Sequence, residues 1–195
     1  MPKPARTEIA AISPDAHHMV RVWDIFVRVF HWSLVTSFVV AWFTSHSSET
    51  IHHLAGYAAG ALVLLRLVWG LVGTHYARFA QFTRAPHTVL SYLRAIATGR
   101  EARYLGHNPA GGAMVLVLMA AMLATALTGW LMTTDAFWGV EWVTRTHDLV
   151  AHGLLALVLV HIGGVMLASL RHRENLVFAM LTGRKRPPDP DDVAD

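Results

Sequence analysis

Cysteine is absent from the 195-residue chain. That removes disulfide frameworks, thiolate zinc sites, cysteine-ligated iron–sulfur clusters and the covalent c-type haem linkage, so any metal must be held by other side chains. Charge is scarce as well. Only 15% of residues are Asp, Glu, Lys or Arg and 54% are apolar, against roughly a quarter charged in soluble domains, which argues against a soluble enzyme. The residue type in surplus is histidine, with 13 copies. The formal charge of +3 does not point to nucleic acid, because the arginines stand at the ends of apolar segments, as in a membrane protein.

Four stretches are long and apolar enough to cross a bilayer core, for which about 20 residues suffice. They run at about residues 25–45, 51–72, 110–133 and 149–170, giving an all-α, four-helix membrane bundle over residues 25–171. Residues 1–24 and 172–195 form tails. The loop 73–109 contains Val89, Leu90, Leu93, Ile96 and Ala97 at helical spacing, which predicts an amphipathic surface helix over Pro86–Thr98. Residues Pro187–Asp195 alternate proline with aspartate and read as disordered. The first 20 residues are polar, so no cleaved signal peptide is expected and span one is retained.

Positive charge tests this division, since cytoplasmic loops carry an excess of Lys and Arg. Fourteen of the 16 fall on one side: Lys3, Arg6, Arg21 and Arg28, the loop arginines from Arg78 to Arg103, and the group from Arg171 to Arg186. Only Arg145 lies opposite, in a loop read as Asp135–Thr146, and Arg66 falls inside span two. Both termini are therefore expected in the cytoplasm.

Ionisable residues inside spans are costly and mark functional sites. His147 and His161 are 14 residues apart, about 21 Å of helix rise and nearly the same face. Topology then sets His147 level with His52, and His161 level with His31. Two couples at two depths suit two b-type haems clamped between helices, because neutral imidazole brings no charge into lipid. His53 competes with its neighbour His52 for one of these roles. His46 and His152 are expected to be structural, and His17, His18, His75, His87, His107 and His172 to be solvated. Gly56, Gly60, Gly153, Gly163 and Gly164 either leave room for a macrocycle or pack helix on helix. Arg66 follows His52 by the same 14 residues and is read as the partner of a haem propionate, with snorkelling to the interface as the alternative.

The motifs Val22-Trp23-Asp24, Arg28-Val29-Phe30-His31-Trp32, His52-His53-Leu54-Ala55-Gly56-Tyr57, Arg66-Leu67-Val68-Trp69-Gly70 and Gly106-His107-Asn108-Pro109-Ala110-Gly111-Gly112 stand in order along the chain. His147, His161 and Arg171-His172-Arg173-Glu174-Asn175-Leu176 complete the set. Over about Val22–Arg186 the sequence resembles the bacterial cytochrome b561 and nickel–iron hydrogenase cytochrome b proteins. The resemblance implies two non-covalent b haems with axial ligands His31, His52, His147 and His161, paired His31 with His161 and His52 with His147. It favours His52 over His53.

It further implies electron transfer in a respiratory chain between a periplasmic redox partner and the quinone pool. That partner is a c-type cytochrome, or a hydrogenase or other dehydrogenase subunit; the quinone is ubiquinone or menaquinone, and membrane lipid surrounds the bundle. A second copy of the chain, forming a homodimer, is a further candidate partner. The alternatives are direct superoxide oxidase or quinone reductase activity at the haems, and a histidine-lined metal-ion transporter. Spans one, three and four hold no carboxylate in their apolar cores, with Asp148 only at an edge, which disfavours transport. The His-Glu-x-x-His pattern of a zinc protease is missing.

Overall fold

The computed structural model describes residues 19–194. Most of the predicted N-terminal tail, with Lys3, Arg6, His17 and His18, and the last residue Asp195 lie outside the described residues. In chain order the elements are β1 (Val20–Arg21), α1 (Ile25–Thr44), α2 (Glu49–Val72), a 3-10 turn (His75–Ala77), α3 (Phe79–Phe82), α4 (Pro86–Thr98), α5 (Pro109–Met132), α6 (Glu141–Arg171), α7 (Leu176–Thr182) and β2 (Arg184–Lys185). Helices α1, α2, α5 and α6 are each long and apolar enough to span a membrane. The protein is an all-α integral membrane bundle of four spans.

Local chemistry starts these helices where the polar residues fall. Asp24 Oδ1 accepts from the Val27 amide at 2.8 Å, and Asn108 Oδ1 from the Gly111 amide at 2.7 Å; such caps satisfy amides that have no partner inside the helix. Pro109 occupies the first turn of α5, where its missing N–H costs nothing. Helix α4 covers the predicted Pro86–Thr98 and stops at Gly99, whose φ of +68° suits glycine. Helix α6 begins at Glu141, eight residues before the predicted span. Its 31 residues rise about 46 Å, more than the roughly 30 Å hydrocarbon core. The first turns carry an exposed Glu141–Arg145 pair at 2.6 Å, so they stand in water, where hydropathy does not register a helix.

The spans pack as a chain of neighbours. Helix α1 runs along α2, α5 along α6, and α2 meets α5, while among the described residues α6 has no comparable seam with α1 or α2. Ala59, Val63, Met119, Met122 and Leu154 fill the centre. Leu71, Leu149, Leu159 and Leu170 stand exposed on the periphery, as expected for side chains that meet lipid tails rather than water. Packing in lipid relies on close fit more than on burial, and Gly60 supplies it: a Cβ there would lie 3.1 Å from Ala126 Cβ.

The ends of the bundle differ. At the near end, where both described termini lie, Val22, Trp23, Val27, Ala77 and Leu105 form a second core, and β1 pairs antiparallel with β2. Asp24 Oδ2 accepts from Trp69 Nε1 at 3.0 Å and Thr74 Oγ1 at 2.5 Å, tying the start of α1 to the end of α2. The tail expected to be disordered is instead held here. Buried Arg103 grips Glu174 at 2.8 Å and pairs with Asp192. Val193 accepts from the Leu105 amide at 3.0 Å and donates to Arg103 O at 2.8 Å. Composition is blind to this because a buried guanidinium and free backbone groups, not apolar area, recruit the tail. Lys185 Nζ donates to Leu105 O at 3.0 Å and Tyr104 O at 3.2 Å.

Burial pushes the Glu174 and Asp192 carboxyls up. The bonds and charges of Arg103, with Lys185 and the Arg186 amide on Glu174 and the Asp189 amide and Arg186 charge on Asp192, outweigh it and hold both below their ordinary values of 4.5 and 3.8. Depressed carboxylates contribute stability that is complete above those ordinary values and vanishes as pH falls through the lower folded ones. Lys185, driven down to about 8 by burial, costs stability while it is charged, and that cost is relieved as pH rises from about 8 toward its ordinary 10.5. Protection of the Val193 and Leu105 amides, taken relative to their intrinsic exchange rates, should therefore fall below about pH 4. Replacing Glu174 by Ala, which strands buried Lys185 and leaves Arg103 with Asp192 as its one carboxylate, should release the same amides at neutral pH with a loss of about 3 kcal/mol. Unchanged exchange in both tests would contradict the clamp.

Candidate functional site

The two far-end histidines meet across the bundle. His52 on α2 and His147 on α6 have ring centroids 6.2 Å apart and ring planes 85° from parallel. Two imidazoles on opposite sides of one metal, each bonded at about 2 Å, have centroids separated by about 6 Å. Each ring is also fixed from behind. His52 Nδ1 lies 2.8 Å from Ala41 O, and His147 Nδ1 lies 3.1 Å from both Thr125 O and Thr128 Oγ1. A carbonyl only accepts, so Nδ1 carries the proton on both rings and Nε2 keeps its lone pair for a metal. This is the outer-shell arrangement that orients ligating histidines. Gly129 makes it sterically tight, since a Cβ there would lie 3.0 Å from His147 Cε1.

The other far-end histidines do not join the couple. His53 sits 6.0 Å from His52 and 6.3 Å from Tyr57, ring to ring. His152 donates from Nδ1 to Asp148 O at 2.8 Å and stands edge-on to Trp42. His46 is exposed. Among the described residues no three histidine or carboxylate side chains converge as a metal cage.

At the near end His31 on α1 and His161 on α6 lie within electrostatic reach of each other. His31 Nδ1, Trp32 Nε1, Arg66 Nη1 and His107 Nδ1 are all buried without a hydrogen-bond partner. Buried polar atoms are almost always satisfied, so four orphans at one end of a bundle suit a polar-edged group seated among them. Arg66 is 2% exposed, so its head group is enclosed by protein rather than by water. Its Nη2 donates to Ala77 O at 2.8 Å, and the guanidinium lies 5.2 Å from the Phe79 ring. The unpartnered Nη1 remains available to an anion.

His107 is the residue that sequence reasoning misplaced. It was expected to be solvated, yet its ring packs 4.7 Å from Trp23 and 4.6 Å from Phe82, centroid to centroid. Burial, with the charges of Arg66 and Lys185 and the nearby His161, drives it down to about 3, so the ring is neutral. A signal existed: His107 directly precedes Asn108, the cap of α5, inside the Gly106–Gly112 motif. The glycines divide as well. Of the five glycines singled out in the sequence, Gly60 packs helix on helix, while a Cβ at Gly56, Gly153, Gly163 or Gly164 would touch nothing within 4 Å, which removes the packing role for those four.

A four-span bundle in which imidazoles from two spans meet at the far end, each with its Nδ1 held by the protein, has the architecture of a membrane cytochrome of the b type. The chain belongs to the prokaryotic cytochrome b561 family, whose model matches residues 22–183, and that family binds b-type haem in a membrane helical bundle. It is also similar to a probable Ni/Fe-hydrogenase B-type cytochrome subunit of Rhizobium leguminosarum bv. viciae, 22% identical over 93% of this chain and 98% of the relative. No solved structure gives a significant match. Membership of the family supports a role in membrane electron transfer.

Removing the hydroxyl behind His147 (Thr128→Val) leaves Nδ1 with one acceptor, and Gly129→Ala crowds the ring. Each should weaken haem retention, by about tenfold for a lost outer-shell partner, read as the haem-to-protein ratio after detergent dilution. Wild-type retention in both variants would contradict this role for the α5 face.

Proposed function

We propose that the protein carries electrons across the bacterial inner membrane through two b haems, held by His52 with His147 near the periplasmic face and by His31 with His161 near the cytoplasmic face. The observation that carries this reading is the far-end couple, two rings at ligating separation with both Nδ1 atoms committed to the protein. The excess of positive charge at the near end supports cytoplasmic termini. Bound haem b supplies one-electron ferric/ferrous chemistry at two depths.

The chain's own residues hold, orient and insulate. Ala41 O, Thr125 O and Thr128 Oγ1 fix the far-end rings. Arg66 Nη1 offers a buried positive charge suited to a propionate. The core of Val63, Met119, Met122 and Leu154 keeps water out of the space between the two levels. A periplasmic partner, either a c-type cytochrome or a hydrogenase or other dehydrogenase subunit, exchanges electrons at the far end, and ubiquinone or menaquinone serves as the membrane-soluble partner. The far end favours a protein relay over direct capture of an anion such as superoxide. Its single arginine, Arg145, is already paired with Glu141, and Glu49, Asp135 and Asp148 add negative charge at the same end.

Extraction and counting of haem from purified protein should give two per chain. His161→Ala and His147→Ala should each leave one, and the two survivors should differ in midpoint potential. One haem in the wild type, or two in either variant, would overturn the assignment.

A further inference from the structure

Beside β2 and α7 at the near end lies a cleft of about 190 Å³, walled by Met19, Phe178, Arg173, Arg184, Arg186 and Glu174. Its charge is unbalanced. Glu174 is consumed by Arg103, Lys185 and the Arg186 amide, and Arg186 faces Asp189 and Asp192. Arg173 and Arg184 are exposed and make no ion pair among those found in the described residues. Arg21, also exposed, is the direct cross-strand partner of Arg184 in the β1–β2 ladder. Like charges directly opposite one another in a ladder are destabilising, and a bound anion would reverse that sign. Side chains alternate along a strand, so Arg21 shares a face with Met19 of the cleft wall.

Arg173 adds a second mark. It is the only non-glycine with positive φ among the described residues, at +50°, in the turn that ends α6, a position that favours glycine. The surroundings select the kind of anion. Helix α7 leaves Val177, Phe178 and Leu181 about half exposed on one side, at spacings of one, three and four residues. It begins five residues after the last membrane span ends, at the level where headgroups meet protein.

We propose that this cleft binds the phosphodiester headgroup of an anionic phospholipid, with Arg21, Arg173 and Arg184 around the phosphate and Met19 and Phe178 against the glycerol and upper acyl chain. Basic recesses at the cytoplasmic ends of spans are suited to such headgroups, and the apolar wall distinguishes a lipid from free phosphate. The proposal stands apart from the haem reading and does not depend on it.

The test uses full-length, delipidated protein in a neutral detergent, with phosphatidylglycerol or phosphatidylcholine added back and bound lipid counted by native mass spectrometry. The wild type should retain phosphatidylglycerol and not phosphatidylcholine. The double variant Arg173→Gln/Arg184→Gln should retain it about tenfold less or weaker, and Arg21→Gln should show an intermediate loss that holds even if the double variant fails to fold. Arg94→Gln/Arg100→Gln, with the same change in net charge elsewhere on this end, should behave as wild type. Equal retention in all variants, equal loss in the Arg94/Arg100 control, or full displacement of the lipid by millimolar inorganic phosphate would each overturn a built lipid site.

Discussion

An imidazole that binds metal uses one ring nitrogen, and inside a bilayer the protein must satisfy the other, because no water is there to do so. The far end of the bundle depends on that constraint. His52 and His147 meet it with backbone carbonyls from neighbouring helices, Ala41 O on α1 and Thr125 O on α5. The far-end couple therefore needs all four spans in register: two supply the rings and two supply the acceptors. A slip of one helix by a turn, about 5.4 Å, would strand both a ring and its support.

The near end answers a different problem. There the buried groups include a guanidinium and two histidines, and the structure leaves four polar atoms waiting for a partner among His31, Trp32, Arg66 and His107. Above them the chain builds a lid of its own from Trp23, Leu105, the β1–β2 ladder and the Arg103–Glu174–Asp192 clamp. The clamp binds the tail to the loop before α5, so ion pairs join the apolar cluster of Trp23 and Leu105 in covering the near-end histidines. The far end has no such cover, and its exposed aromatic residues Phe43, Trp138 and Trp142 fit an interfacial belt.

Charge-free runs and the Pro and Gly that punctuate them made the four spans and α4 legible in the sequence, because both signals are local. Histidine depth followed from helix rise and topology and set His147 level with His52 and His53, while the choice of His52 came from the resemblance to the family. Three things could not be read. The first turns of α6 are charged and helical, and hydropathy senses lipid rather than helix. The carbonyls behind His52 and His147 belong to an alanine and a threonine with no sequence signature, since every residue carries one. His107 and the acidic tail look solvated in isolation. Their burial comes from partners tens of residues away, Trp23 and Phe82 for the ring and Arg103 for Asp192.

The central claim is that imidazoles from separate spans clamp iron in couples at two depths. Electron paramagnetic resonance of the oxidised protein tests it most directly, because axial ligation sets the spin state and the angle between ligand planes sets the anisotropy. The account predicts two low-spin ferric signals, the more anisotropic arising from His52 and His147, whose rings lie 85° apart. A high-spin signal from five-coordinate iron, or a single low-spin species, would contradict it.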